Sequence, residues 1–157
     1  MKNIFTFALL ALAFVATATA QSNAASQQVS INVAEIAVIS VQGTINMTIA
    51  SATAGQAPDA ATASATYAVT TNGKNQKISA KLDTAMPEGL SLFATMAAPS
   101  KASSNGKVEL TDKSADLVTK ISNTNQSGLA LAYEAVATVD ATPDNVSRTV
   151  TYTITAN

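Results

Sequence analysis

From residue 29 onward, apolar and polar side chains alternate with a period of two, with no stripe at helical spacing. Val29, Ile31 and Val33 fall on one side and Ser30 and Asn32 on the other, which predicts a half-buried strand over residues 29–33. An apolar run at residues 36–41 predicts a second strand, closed by Gln42-Gly43. Ile45, Met47 and Ile49, set against Thr44, Asn46 and Thr48, predict a third. Residues 50–63 are rich in Ala, Ser and Thr; Gly55 and Pro58 argue against a helix there and predict a loop.

Ala65, Tyr67 and Val69 resume the alternation. Asn72-Gly73 then predicts a type I′ hairpin, because both central residues of that turn need positive φ, with Ile78, Ala80 and Leu82 on the returning strand. Pro87 and Gly89 predict a second turn, followed by the row Leu90, Leu92, Ala94 and Met96. Residues 99–106 and 123–128 read as loops, Val108 and Leu110 as a short strand, and residues 117–121 as one helical turn or a short strand. Leu129, Leu131, Tyr133, Ala135 and Ala137 make the longest alternating row. Residues 141–145 turn the chain, and Val150, Tyr152 and Ile154 form a terminal strand with Thr149, Thr151, Thr153 and Thr155 outward, where β-branched residues suit a pleated surface. Eight to ten short strands separated by turn chemistry predict an all-β fold, an antiparallel β-sandwich of immunoglobulin-like or jelly-roll type over residues 29–157.

The N-terminus has a different pattern. Lys2, an apolar stretch at residues 4–16 and the small residues Ala18-Thr19-Ala20 predict a cleaved export signal over residues 1–20, with Gln21 as the new N-terminus. A stretch of thirteen residues is too short to span ~30 Å of hydrocarbon, which takes about 20, and no later segment qualifies as a transmembrane span. No Cys follows the signal, so a lipid anchor is excluded. Residues 21–28 are small and polar and read as a flexible leader. The expected destination is the cell surface or the medium, by way of the periplasm.

Composition narrows the chemistry. The 157 residues include no His, Cys or Trp, which excludes a Ser–His–Asp triad, a thiol nucleophile, a Cys/His zinc site and any disulfide. Only 12% of residues are charged; without Lys2 there remain eight Lys and Arg against ten Asp and Glu, a net charge of −2. Such a surface has no electrostatic footprint for nucleic acid. A domain of roughly 137 residues buries enough of its chain to fold without disulfides.

The segment Val29-Ser30-Ile31-Asn32-Val33-Ala34-Glu35-Ile36-Ala37-Val38-Ile39 directly after a signal, together with the ending Thr149-Val150-Thr151-Tyr152-Thr153-Ile154-Thr155, resembles small exported β-sandwich proteins of Gram-negative bacteria, the coat-protein-U-like and pilus-subunit-like domains. Pro87-Glu88-Gly89-Leu90-Ser91-Leu92 is similar to a turn and strand seen in such secreted proteins. The resemblance implies secretion and self-assembly or surface coating without catalysis. It also departs from the many pilus subunits that carry a disulfide, since this chain has no cysteine.

Candidate sites are few. The carboxylates, among them Glu35, Glu88 and Glu134, sit mostly at turns and strand ends, where solvation is their ordinary role, so no catalytic residue is assigned. Asp112, Asp116, Asp140 and Asp144 offer oxygen ligands, but no D-x-D-x-D-G loop organises them, and neither a metal nor a cofactor is expected. The sequons at Asn46, Asn125 and Asn145 are close to what chance yields with this much Asn, Ser and Thr. Thr84, in Asp83-Thr84-Ala85, resembles a bacterial O-glycan attachment site in an exposed turn. Tyr67, Tyr133 and Tyr152 lie in phase with the apolar rows and are assigned to the core. Phe93 lies out of phase with Leu90, Leu92 and Met96: either a bulge turns it inward, the commoner fate of a large apolar side chain, or it is an exposed interaction residue.

These features predict a secreted, non-enzymatic structural or adhesive surface protein, a filament or coat subunit in which Val29, Ile31 and Val33 form an assembly strand. Its expected partner is itself or another surface subunit, joined through strand edges. A secreted glycan- or peptide-binding module is the alternative.

Overall fold

The longest alternating row of the sequence becomes the longest strand, and the others are arranged around it. The computed structural model describes residues 23–157; the expected export signal, residues 1–20, lies outside the described residues. Residues 23–32 fall in one unit, and Val33–Asn157 form a second. That second unit contains nine strands among the described residues: β1 (Ala37–Gln42), β2 (Ala61–Thr71), β3 (Gln76–Leu82), β4 (Leu90–Met96), β5 (Ser103–Ser104), β6 (Lys107–Leu110), β7 (Ala115–Ile121), β8 (Thr124–Ala137) and β9 (Val150–Ala156). They form two open antiparallel sheets, ordered β1-β2-β8-β4-β6 and β5-β7-β3-β9. The described residues contain no helix, and the fold is an all-β sandwich.

The core lies between the sheets. Tyr67, Val69, Leu92, Met96, Leu110 and Leu131 come from the five-stranded sheet, and Ile78, Leu82, Leu117, Val118 and Ile121 from the four-stranded one. Leu131 and its alternate neighbours Tyr133, Ala135 and Ala137 are buried as their period predicts. Leu117 and Val118 are consecutive and both fully buried, which a regular strand does not allow. The β3–β7 register shifts on either side of the Ile78–Val118 pair, and these irregularities turn both side chains inward.

Several expectations are corrected. Residues 29–33 belong to no strand, and Val29, Ile31 and Val33 are 73%, 82% and 73% exposed. The ladder begins at Ala37 because its partner, Thr71, is the last residue of β2. Ile45, Met47 and Ile49 do turn toward the core, but residues 44–49 join no ladder; alternation fixes the faces of a segment without supplying it a partner. Asn72-Gly73 does not close a hairpin. It carries the chain from β2 in one sheet to β3 in the other, and the positive φ falls at Asn75 (50°).

The expected loop at residues 123–128 is largely the start of β8. There Ser127 and Gly128 together face Ala68 where the β2–β8 register slips, and Gly128 takes a φ of 67°. Residues 117–121 lie in a strand, and β5 occupies part of the expected loop at 99–106.

Leu131 is fully buried on the central strand. Leu131→Ala is expected to cost about 2–5 kcal/mol in urea unfolding, as core truncations do. Ala132→Ser, one residue away on the exposed face, should stay within about 0.5 kcal/mol.

Candidate functional site

The outer face of the five-stranded sheet carries a depression that register assembles. β8 runs between β2 and β4, so Glu134 stands opposite Thr62 on one side and Phe93 on the other. One step along, Ala132 stands opposite Ser64 and Thr95. β6 extends both rows, placing Glu109 beside Phe93 and Lys107 beside Thr95. The middle of the second row is a single methyl group, Ala132, with larger side chains around it. The result is an open trough of about 360 Å³ whose lining includes Ala132, Phe93, Lys107, Glu134 and the hydroxyl residues Ser64 and Thr95.

Phe93 is on that outer face because β4 keeps its alternation: Leu92 and Ala94 are buried on either side, and the pairing with β8 runs unbroken from Leu90 to Met96. No bulge turns the ring inward. It is half-buried by its neighbours on the surface. Lys107 Nζ lies 4.4 Å from the ring centroid and donates to Glu134 Oε1 at 2.7 Å. The cation is thus attracted by the ring quadrupole and by the carboxylate together. Both partners keep solvent contact, so the ion pair orients the three side chains more than it stabilises the fold.

A second organised region sits where β1 begins. Asn72 acts as a length of backbone: its Oδ1 accepts from the Ile36 N–H at 2.7 Å, and its Nδ2 donates to the Ala34 carbonyl at 2.8 Å. Below it, the Thr71 hydroxyl donates to Gln76 Oε1 at 2.6 Å, and Gln76 Nε2 donates to Glu35 Oε1 at 2.9 Å. Thr71 and Gln76 are almost fully buried, so this chain satisfies polar groups that would otherwise be costly. A Cβ on Gly73 would lie 2.4 Å from Gln76 Nε2, so a side chain there would displace the Gln76 amide from this chain of bonds.

Thr84 is exposed in the bend after β3, beside Asp83, whose Oδ1 accepts from the N–H groups of Thr84 and Thr149. Asp116 is engaged by Lys77 at 3.0 Å, and the described residues hold no group of three or more His, Cys, Asp or Glu able to bind a metal. All three tyrosines pack against or within the core. The Tyr67 hydroxyl donates to the Ala97 carbonyl, and the Tyr133 and Tyr152 hydroxyls bond to each other between β8 and β9, linking the two sheets.

Sequence reasoning singled out Phe93 but missed Lys107 as its companion and gave Glu134 no special role. The available signal was that Phe93 and Glu134 both fall out of phase with their inward rows. What it lacked was the pairing of β4 with β6 and β8. Comparison with family models, curated proteins and solved structures gives no match to this chain.

Burial pushes the Tyr67 phenol up to about 12. Burial also raises Tyr133, partly offset by its bond with Tyr152, and raises Tyr152, reinforced by Tyr133. A phenol with a raised folded pKa stabilises the fold fully below its unfolded value and loses that contribution as pH rises through the folded value. Phenolate absorbance should therefore stay low through about pH 10, where free tyrosine ionises. It should rise together with unfolding as pH approaches 12. A folded protein showing normal ionisation of all three would contradict this assignment.

Proposed function

We propose that this chain is an exported, non-enzymatic surface protein that assembles with further copies of itself by adding a strand to a sheet edge. The observation that carries this reading is the exposure of Val29, Ile31 and Val33, alternating apolar side chains that belong to no strand in the chain. Single exposed apolar residues are ordinary, but three at strand spacing form a ready-made apolar row.

The acceptor is a sheet edge. Among the described residues β9 pairs with β3 alone, so its other side carries no ladder from them, and the half-buried Val150, Tyr152 and Ile154 lie along the strand. An added strand gains main-chain hydrogen bonds from such an edge while its alternate side chains find apolar surroundings. The resemblance to exported coat and pilus subunits supports the same mode of association, and the signal-like residues 1–20 support its location at the cell surface.

Ile31→Asp places a carboxylate in the row and is expected to abolish assembly of the chain beginning at Gln21, followed by light scattering and electron microscopy. Deleting residues 21–33 should leave a monomer that binds a synthetic peptide of those residues. A wild-type chain that remains monomeric at high concentration, or a deleted chain that still assembles, would defeat the proposal.

A further inference from the structure

We propose that the trough on the outer face of the five-stranded sheet is a binding site for uncharged saccharide, with Phe93 as its wall, Ala132 as its floor, and Lys107 and Glu134 as its polar anchors. This goes beyond the assembly reading and does not depend on it, since no residue of the trough lies in residues 29–33 or on β9.

The size is suited to a sugar unit. About 360 Å³ is at the low end of small-ligand sites, and the trough is open, as a chain passing through it requires. The floor is low only because β8 places Ala132 between Ser64 and Thr95. Phe93 borders this floor; Lys107 covers part of its half-buried ring, and the π-surface that Lys107 leaves uncovered attracts the weakly positive C–H groups on one side of a pyranose. The ring is already oriented, because Lys107 is held over it and is tied to Glu134. A ligand meets a prearranged wall, which limits the ordering cost of binding.

The polar groups match hydroxyls in both senses. Ionised Glu134 only accepts and Lys107 only donates, while Ser64 and Thr95 do either. A sugar hydroxyl does both as well, so each group finds a partner on one ring. Charge then selects among sugars. Lys107 and Glu134 neutralise each other, and Glu109, next to Phe93 across the β4–β6 pair, leaves the face mildly negative. That disfavours uronates and other anionic sugars and selects neutral ones.

The test is titration calorimetry of the chain beginning at Gln21 with neutral gluco-, manno- and galacto-oligosaccharides, a uronate oligosaccharide and an unrelated extended peptide. At least one neutral series is expected to bind, and the uronate and the peptide are not. Phe93→Ala should weaken that binding about tenfold or more. Ala132→Leu should fill the trough and abolish it. Both positions face solvent, so circular dichroism should show both variants folded. Ile31→Asp should leave saccharide affinity unchanged while removing assembly, which separates failure of this site from failure of the assembly reading. Absence of binding by every neutral series overturns the proposal. So does binding that survives both trough variants, or binding confined to the uronate or the peptide.

Discussion

Strand β8 is the constraint on which the rest of the sandwich depends. It is paired with β2 on one side and with β4 on the other, and its alternation serves both surfaces of the sheet. Inward, Leu131 and Tyr133 help fill the core and join the sheets; outward, Ala132 and Glu134 give the face its relief. A register slip of one residue would exchange these roles and place a carboxylate in the core. The bulge at Ser127 and Gly128 accommodates the one slip in the β2–β8 ladder before the alternating row begins.

The pairing is almost entirely non-local. From β2 onward each connection crosses to the other sheet, and only β1 and β2 are both consecutive and paired. Loop closure must therefore precede most of the stabilising contacts, which makes folding slow compared with that of a hairpin-rich sheet. Among the described residues, no two strands consecutive in sequence after β2 share a ladder. The sheets hold together through the shared core, the Tyr133–Tyr152 bond and the polar chain from Thr71 through Gln76 to Glu35. Asn72 finishes this arrangement: it occupies the place where β2 would otherwise continue, and so fixes Ala34 and Ile36 just ahead of β1.

Alternation made most strands and most core residues legible, because a period of two states which side chains share a face, but not Leu117, Val118 and Ile121, where the period is broken. It identified the inward row of β8, the three core tyrosines and the out-of-phase position of Phe93. It could not state partners. Residues 29–33 and 44–49 alternate as well as any strand in the chain, yet neither joins a ladder, and Asn72-Gly73 has hairpin chemistry without a hairpin. The trough was hidden for the same reason. Phe93, Lys107 and Glu134 come from three strands, and only the β6-β4-β8 order makes them neighbours. Turn propensity failed at residues 124–128 because a bulge with a glycine at positive φ satisfies the same residues inside a strand.

The central claim is that residues 29–33 become a strand only on another copy. Amide hydrogen exchange, followed residue by residue across a range of protein concentrations, tests it most directly. The account predicts fast exchange at Val29, Ile31 and Val33 in dilute protein, and protection that grows with concentration together with new protection along β9. Protection of these amides that is independent of concentration, or assembly that leaves them unprotected, would contradict it.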